Sequence, residues 1–463
     1  MIITDIYTEG FRNLSGKLTA CPGINILCGD NAQGKTNWLE AIYLLASTKS
    51  FRTSTLKDTL KLNPSPQTIK QAYIRGSIIR ERLRKDLQVQ LEENAKSFYI
   101  NGKREAVTRY IGNLDVIVFC AEEMDIVRGQ PAERRRFLDR GVVSLFPTYL
   151  KTISEYNRIL KQKNVLLKQA QESSQPKKFF DLIETWNQQL VDYSTQTHMA
   201  RLDYTKRLRK VLNKQLFSQK QLDIGYISAL SSHGVTENST KEEYRKIIEE
   251  RLRVRIENEV SVGYALVGPH RDELEILIDG LETSKFGSAG EQRSALITLD
   301  LAQISVYHQA FEEYPVFLID DIDAELDLRR ISLLLGHLAD KMQVFISTSK
   351  REIAAQYQNQ AMCNFIYQGS IVNNLESFPS NDLTENKIEN KIENKTKINL
   401  VEPDIDIPTL TIPSSPVLAP ITVPSSLKME VNLSVKTPPS NNTVLVIDEE
   451  SFTDSEDPHR APF

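Results

Sequence analysis

The chain has 463 residues, 40% hydrophobic and 25% charged, with a net charge of −4, which suits a globular protein of two or three domains. No apolar run approaches a membrane span. Cys21, Cys28, Cys120 and Cys363 form no C-x-x-C pair, which argues against a zinc site or a disulfide framework. Met1 to Gly10 hold no basic-then-apolar leader, so the expected location is cytoplasmic. The charge is uneven. Residues 379–463 hold 7 Lys/Arg and 14 Asp/Glu, a balance of −7, which leaves +3 on the rest of the chain. A mildly basic body permits a nucleic-acid partner without requiring one.

In chain order, Met1 to Tyr7 and Lys17 to Ala20 read as paired strands. The apolar run Ile24 to Leu27 follows and ends at Cys28-Gly29. From Gly29 the sequence is G-x-x-x-x-G-K-T: Gly29, Asp30, Asn31, Ala32, Gln33, Gly34, Lys35, Thr36. Helical spacing begins directly after it at Asn37 (Trp38, Ile42, Leu45). Strand, glycine-rich loop and helix form a phosphate cradle in its required context. Backbone N–H groups close on phosphate oxygens, and the helix start adds a favourable dipole. Lys35 is expected to reach the β- and γ-phosphates and the Thr36 hydroxyl to ligate Mg²⁺.

Strands are expected at Tyr73 to Ile79, Leu87 to Leu91, and Phe98 to Ile100 running into an Asn101-Gly102 hairpin turn. Asp115 to Cys120 reads as a buried strand. The pattern turns helical at Pro131, a residue suited to the first turn. Ile153, Tyr156, Leu160 and Leu167, then Trp186, Leu190 and Tyr193, fall at helical steps up to about residue 217. Gln171 to Lys177 breaks this stretch into two antiparallel helices. Narrow apolar stripes suggest an arm; a helical subdomain lying flat would read the same way. Lys241 to Glu259 reads as a further helix. Strands return at Tyr264 to Val267 and Glu273 to Ile278, then a helix at Thr298 to Phe311. Val316 to Ile319 and Val344 to Ser347 suit a buried parallel sheet. The expected division is 1–125 and 261–377 as two halves of one α/β head, 126–260 as an inserted helical arm, and 378–463 as a disordered, proline-rich acidic tail.

Two further patterns carry chemistry. The strand ending at Ile319 delivers Asp320 and Asp321. Asp320 suits Mg²⁺ opposite Thr36, and Asp321 stands where a base could orient attacking water. The run Phe286 to Arg293 (FGSAGEQR) opens a helix with Ser and Gly, a second anion site. One phosphate loop and two phosphate-binding helix starts point to a head-to-tail dimer with ATP between two copies. Arg134, Arg135, Arg136, Lys206 and Arg207 are candidate DNA-phosphate contacts, though any one of them taken singly reads better as part of a solvated helix face. No stretch interleaves basic and aromatic residues, so recognition of backbone and shape is expected rather than base stacking.

These motifs together resemble the ABC-type ATPases of the structural-maintenance-of-chromosomes class. Phe11 to Leu14, the block Gly29 to Ser54, Pro131 to Asp139 and Gly268 to Leu274 (GPHRDEL) narrow the resemblance to the RecF family of bacterial recombination mediators, over about residues 1–370. The resemblance implies a P-loop ABC-type α/β head with a helical arm, and an ATP- and Mg²⁺-dependent homodimer. It also implies binding of gapped DNA at single-strand/double-strand junctions and help in loading RecA with RecO and RecR, without a membrane. It puts Gly29 to Thr36 on the phosphates, Lys35 and Asp321 in catalysis, Thr36 and Asp320 on the metal, and Ser288, Gly290 and Gln292 on the nucleotide of the other copy. Arg12 is expected near the nucleotide. The chain departs from the family at Cys120-Ala121-Glu122-Glu123, where a proline is usual, and in its long tail. Thr348 stands where transporter ATPases carry His, a difference the family shares, so weak hydrolysis is expected. A transporter subunit would not need an arm, a long-armed chromosome ATPase would need hundreds of heptad residues, and a scaffold that binds ATP without turnover stays open.

Overall fold

The computed structural model describes residues 1–60, 71–212 and 220–372. Its central sheet has the strand order Ser370–Val372, Ala361–Tyr367, Ile24–Cys28, Val344–Thr348, Val316–Ile319, Val116–Phe119. All neighbours pair in parallel except the first two. Strands covered on both faces need continuous apolar runs, and Ile24–Cys28, Val316–Ile319 and Val344–Thr348 are buried at every residue. Alternation sends side chains to two cores. Ile24, Ile26, Phe317, Ile319, Val344 and Ile346 join one. Leu27, Leu318 and Phe345 join the other, with Trp38, Leu39, Ile42 and Leu45 of the helix Lys35–Ser47.

That second core is closed by an antiparallel sheet, ordered Ser15–Thr19, Ile2–Glu9, Gln71–Arg80, Leu83–Glu92, Lys96–Ile100, Lys103–Glu105. Ala72, Ile74, Ile78, Leu87, Val89 and Leu91 face the core. The alternate residues point outward, with Tyr7, Arg75 and Arg104 exposed. The Asn101-Gly102 turn joins Lys96–Ile100 to Lys103–Glu105 with both residues at positive φ, as a two-residue hairpin needs.

Helices Pro131–Leu145, Tyr149–Glu172 and Phe180–Leu212 follow. The last two form an antiparallel pair, turned over Ser173–Phe179. Near the head Tyr156, Ile159, Leu190, Leu202 and Leu208 belong to the same core as the central sheet. Further along, Leu167, Ala170, Ile183, Val260 and Ala265 make a small core of their own. The region expected as a helical arm also supplies a strand, Leu222–Ile227, which pairs with Glu273–Ile278 and through it with Leu281–Glu282. The helix expected over Lys241 to Glu259 is two, Lys241–Val254 under a Thr240/Glu243 capping box and Ile256–Val262.

The strand expected at Tyr264 to Val267 is absent. The Ala265 and Leu266 N–H groups donate instead to the Asn164 and Glu259 side chains, 2.8 Å each, so the apolar run there serves packing without a ladder. The helix expected from Thr298 begins at Ala289. No described helix is long and apolar enough to cross a membrane. The tail expected over 378–463 lies outside the described residues.

Candidate nucleotide site

The loop is built by its surroundings. Gly29 follows a fully buried strand, and a Cβ there would run into the Ile366 carbonyl. Gly34 sits at φ 107°, a left-handed conformation that L side chains resist, packed against Asn13 and Gly369. From behind, the turn Gln368-Gly369 pins the loop: Gly369 N–H donates to the Gln33 carbonyl and Gln368 N–H to Gln33 Oε1, both 2.7 Å. Lys35 is 4% exposed. Its Nζ donates to the Gly29 and Asp30 carbonyls at 2.9 and 3.0 Å, so the ammonium is held inside the cradle. Asp30, Asn31 and Ala32 line the exposed rim.

Thr36 Oγ1 donates to Asp320 Oδ1 at 3.0 Å, which joins the two residues expected to share a metal. Ser347 Oγ donates to the same oxygen at 2.6 Å and accepts from the Asp321 N–H at 2.7 Å. Burial pushes the Asp320 carboxyl up to about 6, aided by neighbouring Asp321 and opposed by the Ser347 and Thr36 hydrogen bonds. A buried acid and a hydroxyl suit Mg²⁺, a hard cation that takes most other ligands from phosphate and water. Among the described residues no cluster of three or more His, Cys, Asp or Glu side chains offers a self-sufficient cage. Asp321 is exposed and left-handed at φ 44°, which turns it away from the strand axis.

Thr348, fully buried, gives its hydroxyl to Asp323 at 2.7 Å, and Ser349 Oγ adds a second bond at 3.0 Å. Burial alone would raise the Asp323 carboxyl, but these hydrogen bonds hold it below its usual range.

The run expected as a second anion site faces solvent. Ser288 caps the helix Ala289–Phe311, its Oγ accepting from Glu291 N–H while Glu291 Oε2 accepts from Ser288 N–H at 2.7 Å. Lys220 donates to the other Glu291 oxygen at 2.5 Å. The Lys220 and Ser288 hydrogen bonds bring the Glu291 carboxyl down to about 2. Open space surrounds Gly290, and Gln292 Nε2 donates to the Thr283 carbonyl. Arg293 ties this helix to Glu325, just past the paired acids, at 2.8 Å.

The basic candidates divide. Arg134 is corrected from a DNA contact to a buried anchor: its guanidinium is bidentate to Glu273 at 2.7 and 2.9 Å, 8% exposed. Arg135 is half-buried and donates to the Asp272 carbonyl. Arg136 and Lys206 are exposed, and Arg207 lies beside Asp203. Both anchors belong to a polar knot around Gly268–Glu273. There Arg201 is bidentate to Asp139 at 2.8 Å twice and donates to the Pro269 carbonyl. Tyr156 meets His270 Nδ1 at 2.7 Å. Arg12 pairs with the buried Glu40 of the P-loop helix at 2.7 and 2.8 Å. Sequence reasoning did not single out Glu40, inside the Gly29 to Ser54 block, or Asp323, just past the paired acids, and it also missed Ser347 and the Gln368-Gly369 turn, which come from distant segments without a motif.

Three comparisons agree on what the chain is similar to. A family described as "RecF/RecN/SMC N terminal domain" matches residues 2–371. DNA replication and repair protein RecF of Staphylococcus carnosus (strain TM300) is 33% identical over 380 residues, 80% of this chain and 100% of its own length. The Staphylococcus aureus (strain JH9) protein of the same name matches equally. Among solved structures, the recombination mediator protein RecF-ATP of the RecFOR pathway superposes with a TM-score of 0.71 at 29% identity, over 80% of this chain and 96% of that one.

Proposed function

This chain belongs to the RecF family of DNA replication and repair proteins, and on that premise we propose that it is an ATP-dependent DNA-binding protein whose nucleotide joins two copies. Gly29 to Thr36 of one copy hold the phosphates, and Ser288, Gly290 and Gln292 of the other close over them. The observation that carries this reading is the pairing of a finished half-site with an unfinished one. Lys35 is held by two loop carbonyls, and Thr36 and Ser347 both donate to Asp320, whereas Ser288 and Gly290 stand exposed on a capped helix end.

Lys35 would exchange its two carbonyl partners for phosphate oxygens. Thr36 and Asp320 would hold Mg²⁺, which supplies charge neutralisation on the phosphates. Asp321, exposed at the mouth, orients water as the base. With no His at Thr348 and that hydroxyl committed to Asp323, slow, DNA-dependent turnover is expected, and hydrolysis resets the dimer. The closed pair grips gapped DNA at single-strand/double-strand junctions and promotes RecA loading with RecO and RecR, in the cytoplasm. Arg136, Lys206 and Arg207 remain its candidate arm contacts. The deciding experiment measures binding to duplex, single-stranded and gapped DNA with and without ATP. Binding indifferent to nucleotide would remove the clamp and leave a scaffold.

A further inference from the structure

The outer face of the antiparallel sheet carries a pattern that runs across its strands. Register puts Lys17 opposite Tyr7, Tyr7 opposite Arg75, Arg75 opposite Gln88, Gln88 opposite Tyr99, and Tyr99 opposite Arg104. One lateral row therefore crosses all six strands and reads cation, aromatic, cation, amide, aromatic, cation. Lys17, Tyr7, Arg75 and Arg104 are exposed, and Gln88 and Tyr99 half-exposed. At a strand spacing of about 4.8 Å the row is about 24 Å long. The Arg75 guanidinium lies 5.8 Å from the Tyr73 ring centre, which adds an aromatic beside the row. Tyr7 directs its hydroxyl along its own strand to Glu9, and Tyr99 directs its hydroxyl to Gln90 on the neighbouring strand.

The row itself contains no carboxylate. The next row on one side is Thr19, Asp5, Ser77, Asp86, and on the other Ser15, Glu9, Tyr73, Gln90, Ser97. Acids thus lie about 7 Å to either side, two residues along each strand. A duplex presents two phosphate lines across a groove roughly 12 Å wide and would lay phosphates over those acids. A single strand is narrow enough to follow the basic row, its phosphates on the cations and its bases against the tyrosines. We propose that Lys17, Tyr7, Arg75, Gln88, Tyr99 and Arg104 form a platform for single-stranded DNA. The platform rests on the DNA-binding reading above and assigns it a site on the head.

The test titrates the full-length protein with ATP against a labelled oligothymidylate and against a blunt duplex, by fluorescence anisotropy. Replacing both tyrosines, Tyr7→Ala with Tyr99→Ala, is expected to weaken single-strand binding about tenfold or more and to leave duplex binding unchanged. The pair Tyr7→Phe and Tyr99→Phe keeps the rings and is expected to retain wild-type affinity, which separates stacking from loss of fold. Arg75→Gln is expected to reduce the salt slope for the single strand by about 0.7. Wild-type single-strand affinity in the alanine pair overturns the platform, and so does a parallel loss of duplex binding. A wild-type protein that binds duplex or gapped DNA but no single strand removes the platform alone. One that binds no DNA at all removes the DNA-binding reading and the platform together.

Discussion

The two ends of the proposed nucleotide site are built on opposite plans. At the P-loop the chain is closed on itself: Lys35 is 4% exposed and inside the cradle, and Asp320 accepts from two hydroxyls. At the serine end the backbone is presented outward, with Phe286 at 68% exposure beside Gly287-Ser288 and open space around Gly290. A pre-organised pocket loses little entropy when phosphate enters. An exposed helix start has no ligand of its own and acts only when something is brought to it. Affinity for nucleotide should thus reside in the first region and assembly in the second.

Mutations that hit one end only would test that division. The largest expected effect is on turnover: Asp321→Asn should slow ATP hydrolysis about a hundredfold to ten-thousandfold and accumulate the ATP-bound dimer in size-exclusion chromatography. Wild-type cycling in that variant would point to another base. Lys35→Ala removes a charged donor, with each such bond worth about 1.5–3 kcal/mol. Nucleotide affinity should fall about a hundredfold in calorimetry while the melting temperature holds. Ser288→Arg should abolish ATP-induced dimerisation yet leave monomer nucleotide binding intact; loss of both would merge the two regions into one.

Smaller still is Arg293→Ala, which breaks a partly exposed ion pair with Glu325 worth about 0–1 kcal/mol, and should shift the dimer equilibrium only slightly. The smallest concerns pH. Because the Glu291 carboxyl is depressed to about 2, its contribution to the Ser288 cap is complete above the ordinary glutamate value. It is lost as pH falls from there through about 2. ATP-dependent dimerisation should show no titration from this group between neutral pH and about 5.

The P-loop end was legible in the sequence because its determinants are contiguous: an apolar strand, two glycines, a lysine, a threonine and a helix. Asp320 was legible for the same reason, as an acid at the end of an apolar run. What closes the site was not. Ser347 and Asp323 have no motif, and they matter only because parallel pairing sets Val344–Thr348 beside Val316–Ile319. Arg134 read as a surface cation until Glu273, 139 residues away, claimed it. Tyr264 to Val267 had the apolar run of a strand, but side chains satisfy its Ala265 and Leu266 N–H groups. The basic–aromatic row on the outer sheet lay beyond any reading along the chain, since its six members come one from each strand.

The pin between Gln33 and Gln368 has a consequence in time. The two residues are 335 positions apart, and translation at roughly 5–20 residues per second separates them by roughly 20–70 s. During that interval the emerging N-terminal segment has its glycine loop but not the turn that backs it. The cradle is therefore among the first pieces synthesised and among the last completed. A chain released before Ala361 would lack the final parallel strand beside Ile24–Cys28. Only molecules whose synthesis has passed that point carry a finished P-loop cradle.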